Sequence, residues 1–82
     1  MYHTLADLNL NDRAVIIGIT PCNQTVWQRL LDFGFVKGAI VWVQNISPLG
    51  DPVAYCIHGC QIALRREDAV SVLVEKEVNE KL

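Results

Sequence analysis

The sequence predicts a mainly β fold: a small antiparallel barrel of five to six short strands with one inserted α-helix. Three observations carry this reading. Apolar residues recur with period two over most of the chain, turn-forming residues separate the short runs, and a single segment carries the 3.6-residue period. The first run, 13–19, is β-branched and follows the turn pair Asn11-Asp12. The second, 39–46, holds Ile40, Val41, Trp42, Val43 and Ile46. The third, 52–58, alternates, with Val53, Tyr55 and Ile57 on one face and Ala54, Cys56 and His58 on the other. The fourth, 60–66, sets Ile62 and Leu64 against Gln61, Ala63 and Arg65, and the fifth, 71–75, sets Val72 and Val74 against Leu73. His58-Gly59 reads as a two-residue hairpin turn, which places Ile57 opposite Cys60 and Cys56 opposite Gln61.

The helical segment is 24–33. Val26, Trp27, Leu30, Leu31 and Phe33 form its apolar stripe, Asn23 or Thr25 caps its start, and Gly34 stops it, with Phe35 placed to touch Leu30 in a Schellman ending. Leu5 and Leu8 are spaced for one helical turn, and Glu67-Asp68-Ala69 for a short turn or 3₁₀ segment. The N-terminus around His3 and the charged tail, 75–82, are expected to fray. The expected inner face is Val15, Ile17 (or Ile16), Ile40, Trp42, Val53, Tyr55, Ile57, Ile62, Leu64 and Val72, closed by Leu30, Leu31 and Phe33. Trp27 and Trp42 are read as core.

Length and composition bound the function. With 82 residues the chain makes one domain, 1–82, and 28 of them are Val, Ile, Leu or Phe, enough to fold. So small a core leaves little room for a deep private cavity. Seven Lys and Arg against nine Asp and Glu give a net charge of −2, with no clustered basic footprint for nucleic acid. The longest clean apolar stretches, 14–19 and 38–43, are far short of a membrane span, so direct membrane insertion is not expected. Three cysteines, at 22, 56 and 60, and no signal-like N-terminus point to a reducing, cytoplasmic setting.

Chemistry-bearing residues are few. Cys56-Ile57-His58-Gly59-Cys60 has the ligand types of a zinc or iron site, with Cys22 as a distant fourth group. The hairpin places Cys56 and His58 on one face and Cys60 on the other, so the three do not converge. At most a weak Fe²⁺ or other divalent transition-metal site is expected, and otherwise no cofactor. Cys22 lacks a readable general base, there is no carboxylate pair with acid and base roles, and none of the five glycines forms a phosphate cradle. The residues give no sign of an enzyme.

Four segments carry a family resemblance. These are Arg29-Leu30-Leu31-Asp32-Phe33-Gly34-Phe35-Val36-Lys37-Gly38, Leu49-Gly50-Asp51-Pro52-Val53, His58-Gly59, and Ile62-Ala63-Leu64-Arg65-Arg66-Glu67-Asp68-Ala69. In order and spacing they resemble the ferrous-iron transport protein A (FeoA) family, over about 5–74. Lys37 stands where that family often has proline. The same barrel occurs as the C-terminal domain of iron-dependent repressors; the absence of a DNA-binding segment favours the transport protein. The resemblance implies an SH3-like barrel in the cytoplasm without catalysis of its own. It also implies an accessory or regulatory role in ferrous iron uptake, recruited to the inner face of the membrane by a FeoB-type permease with a cytosolic GTP-binding domain. The contact candidates are Gln28, Arg29 and Asp32 on the helix, Leu49, Gly50, Asp51 and Pro52 in the loop, and Arg65 and Arg66 at the corner. An exposed strand edge leaves room for a homo-oligomer. The alternative is a transition-metal sensor or donor using Cys22, Cys56, His58 and Cys60.

Overall fold

The computed structural model describes residues 3–77. Six strands form one antiparallel sheet in the order β1-β6-β2-β3-β4-β5. They are β1 (His3–Thr4), β2 (Arg13–Ile19), β3 (Ile40–Ile46), β4 (Val53–Ile57), β5 (Cys60–Leu64) and β6 (Val72–Lys76). A 3₁₀ turn (Leu5–Asp7) follows β1, helix α1 (Gln24–Asp32) lies between β2 and β3, and the one-turn helix α2 (Arg66–Ala69) lies between β5 and β6.

Local chemistry explains each boundary. The Asn23 side chain accepts from the Thr25 amide at 2.7 Å and caps α1. At the other end the Phe35 amide donates to the Leu30 carbonyl at 3.0 Å and the Gly34 amide to the Leu31 carbonyl at 2.9 Å. Those two bonds are the Schellman pattern, and buried Phe35 and Leu30 complete it. His58 and Gly59 both take positive φ, 53° and 78°, as a two-residue hairpin with the right twist requires. Ile57 pairs with Cys60 and Cys56 with Gln61, the expected register. Asp51-Pro52 is a cis peptide.

The core is Leu5, Leu8, Ala14, Ile16, Leu30, Phe35, Val41, Val43, Val53, Tyr55, Ile57, Leu64, Val72 and Val74, with Ala39 and Ala69. This corrects the expected inner face on two strands. On β2, Ala14 points inward rather than Val15, and of the two alternatives Ile16 is the inner residue rather than Ile17. On β3, Val41 and Val43 point inward, while Ile40 and Trp42 stay 39% and 38% exposed. The ladder decides it. Val41 pairs with Ile57 and Val43 with Tyr55, whereas Trp42 pairs with outward Cys56. Bulges at Ile17 and Gln44 then shift the register of both strands.

Neither tryptophan is in the core. Trp42 lies on the outer face under the Arg13 guanidinium, 5.6 Å from the ring centroid, a cation–π contact. Trp27 is 41% and Phe33 38% exposed, because α1 packs on the core through Leu30 and Val26. His3 is not frayed: it pairs with Val74 in β1. Glu75 and Lys76 belong to β6, so the ordered chain runs further than expected, and the rest of the tail, 78–82, lies outside the described residues.

Candidate functional site

The loop 47–52 is built as a fixed projection. Ser47 accepts from the Gly50 amide at 2.8 Å across its tip. The Asp51 carboxylate accepts from the Arg66 amide at 2.9 Å, and Arg66 Nε donates to the Gly50 carbonyl at 2.6 Å. Arg66 Nη1 reaches on to the Ala6 carbonyl at 2.9 Å. Arg66 therefore ties the loop, the start of α2 and the 3₁₀ turn together. With Nε and Nη1 committed inside the fold, it is a brace more than a free contact. Leu49 stands at the loop tip, 94% exposed, with no internal packing to explain a leucine there.

The other candidates extend from this brace. Arg65 is exposed and lies 4.0 Å from Asp51, a loose surface pair. Arg29 Nη2 donates to Asp68 on α2 at 3.1 Å, which links the helix face to the corner. On α1, the Gln28 amide donates to Asp32 at 3.1 Å one turn on. Gln28, Arg29 and Asp32, with Gln24 and Thr25, line a shallow open depression. The structure thus joins all three predicted groups into one strip: α1 face, Arg29–Asp68 link, corner and loop. Sequence reasoning missed Asp68 and the exposure of Trp27, Phe33 and Val36. For Trp27 and Phe33 the helical period was the misleading signal, since it marks an apolar stripe without saying how much of it is covered.

The metal candidates do not converge. Cys22 is half-buried ahead of α1, Cys56 half-buried on the outer face, and Cys60 exposed at the start of β5; all three are free thiols. His58 Nε2 lies 3.3 Å from the Gly34 carbonyl, so when protonated there it donates to the helix-exit turn. Among the described residues no three His, Cys, Asp or Glu side chains are placed to hold an ion. Nor, among them, is any helix long and apolar enough to cross a membrane.

Comparison with known proteins agrees with this architecture. The FeoA domain profile matches residues 3–76. The chain belongs to the FeoA family. It is 39% identical over 71 residues to an Fe(2+) transport protein A/Fe(2+) transporter FeoB fusion protein of Porphyromonas gingivalis, covering 87% of this chain. The chain spans 8% of that relative's length. The solution structure of FeoA from Chlorobium tepidum superposes with a TM-score of 0.85 at 31% identity, over 95% of this chain and 73% of the other. FeoA of Stenotrophomonas maltophilia complexed with zinc, a procaryotic SH3 domain protein, gives 0.79 at 32% identity over 88% of both chains. The fold is mainly β and SH3-like, as the resemblance implied.

Proposed function

We propose that this FeoA-family chain is an accessory, regulatory module of ferrous iron uptake that works by docking on a FeoB-type permease, at its cytosolic GTP-binding domain. The observation that carries the reading is the covalent one: a 39% identical domain is fused to FeoB in the Porphyromonas gingivalis protein. The strip from α1 to the Leu49 loop supplies the contact. An exposed leucine on a braced loop is a preorganised apolar anchor. Along the same strip Arg65, only loosely paired with Asp51, and Arg29, half-exposed beyond its bond to Asp68, can meet an acidic partner surface by exchanging those pairs. The module acts in the cytoplasm, brought to the membrane by the permease, and carries out no reaction of its own.

Co-purification of the permease with wild type, Leu49→Glu and Arg29→Glu tests this. Asp51→Ala is a poorer probe, because the Asp51 carboxylate holds the Arg66 amide. Loss of a central apolar anchor weakens the complex ~30-fold or more. Undiminished complex with both variants overturns the surface assignment.

The zinc held by the Stenotrophomonas maltophilia relative motivates a second reading, a transition-metal sensor or donor. Anaerobic titration with Fe²⁺ or Co²⁺, on wild type and Cys56→Ser, decides it. Absence of thiolate charge-transfer bands ends that reading.

A further inference from the structure

The two edges of the sheet are unequal. Among the described residues β1 is two residues long, a short edge of the kind that limits edge-to-edge pairing. The opposite edge, β5, is Cys60-Gln61-Ile62-Ala63-Leu64, five residues with no charge and no proline. Among the described residues its only ladder is with β4.

The register shows what that edge offers. In a two-residue hairpin the flanking pair Ile57 and Cys60 exchange both backbone bonds, and the same holds at every second pair, Tyr55–Ile62 and Val53–Leu64. The amide and carbonyl of Gln61 and Ala63 therefore point away from β4, and both residues are exposed.

We propose that β5 pairs antiparallel with β5 of a second copy of this chain, on a two-fold axis at Ile62. That axis sets Gln61 against Ala63 of the other copy, and Ala63 against Gln61. Both are then hydrogen-bonded pairs, giving about four bonds. The inward row also matches itself. Cys60 faces Leu64 of the other copy and Ile62 faces Ile62, so apolar meets apolar and no like charges are brought opposite. This self-complementarity favours a second copy over an arbitrary extended segment. The contact is short, under the ~1,200 Å² of stable interfaces, so the dimer is weak and concentration-dependent. The inference is independent of the permease reading.

Sedimentation velocity and amide hydrogen exchange, run from about 20 µM to about 1 mM, test it. The expected result is a monomer–dimer equilibrium in which the Gln61 and Ala63 amides gain protection as concentration rises. Ala63→Pro removes one outward donor and leaves the β4 ladder intact, and weakens dimerisation at least ~10-fold. Should that variant misfold, Ala63→Lys serves instead, because it brings two lysines diagonally across the axis. In a background of Cys22→Ser, Cys56→Ser and Cys60→Ser, Ile62→Cys oxidises to a disulfide dimer, since non-hydrogen-bonded partners lie ~4.5 Å apart at Cα. A monomer across the whole range overturns the proposal. So does a dimer whose Gln61 and Ala63 amides still exchange freely, or protection of those amides only when the permease GTP-binding domain is added.

Discussion

Arg66 joins segments that are distant in the chain. Its side chain bonds the Gly50 and Ala6 carbonyls, and its amide is held by Asp51. Arg66→Ala leaves two partly buried carbonyls short of a charged donor, and should cost ~1–3 kcal/mol in urea unfolding. Arg66→Lys should recover little, because one ammonium cannot reproduce the planar fork. Tyr55 gives a second residue-scale test. Its hydroxyl donates to the Leu5 carbonyl at 3.3 Å, and burial pushes its pKa from 10.0 up to about 12, against the opposing pull of Arg66. The neutral phenol is the form the fold favours. Its contribution is complete below pH ~10 and disappears as pH rises through about 12, a loss of ~3 kcal/mol that Tyr55→Phe should abolish in alkaline melts. Asp12 is the acid counterpart. The Asn9 amide at 2.8 Å, aided by Lys76 Nζ at 3.3 Å, holds its carboxyl below 3.8. That contribution is present above pH ~3.8 and is lost below it, so Asp12→Asn should flatten the acid limb of the stability curve. The adjacent arginines were visible in the sequence. That one braces and the other faces solvent was not, because only the fold brings Ala6 and Gly50 to Arg66.

At the scale of elements, the exit of α1 and the β4–β5 hairpin are one device. Gly34 has φ +96°, and a Cβ built there would lie 2.7 Å from His58 Cδ2. Gly34→Ala therefore carries two costs, the left-handed backbone and the displaced imidazole. The backbone cost alone is ~1–2 kcal/mol. Thermal unfolding should show that His58→Ala relieves part of the penalty in the double variant, and a strictly additive pair would refute the coupling. The helix cap, the Schellman turn and the hairpin were all legible, since each is set by a few neighbouring residues and their allowed φ. The facing of β2 and β3 was not. Residues 14–17 and 40–43 are apolar on both faces, so the alternation that fixes β4 is absent there.

For the whole molecule, the sheet order predicts a gradient of local stability. β2, β3 and β4 each have a neighbour on both sides and carry the buried Ile16, Val41, Val43 and Tyr55, whereas β1 contributes two residues at an edge. Native-state hydrogen exchange should find the slowest amides in the central strands and the fastest strand amides in β1. Leu49→Glu should leave that gradient and the melting temperature unchanged, because Leu49 is 94% exposed and its loop is held by Arg66 and Asp51 instead. A fall in permease binding without a fall in stability would then belong to the surface alone.

The sequence by itself determined the five strands after the short first one, the helix α1, their turns, the β4–β5 register, and the family to which the chain belongs; the expected turn or 3₁₀ segment at 67–69 is instead the one-turn α-helix α2. These rest on local rules: period-two patterning, capping and left-handed turn residues act within a few positions of one another. Tertiary structure decided which face of β2 and β3 is inside, that both tryptophans lie outside, and that helix, corner and loop form one strip. Those outcomes depend on ladder register, on the bulges at Ile17 and Gln44, and on side chains meeting across long stretches of chain. Such contacts exist only once the sheet has closed around its core, and no window of neighbouring residues encodes them.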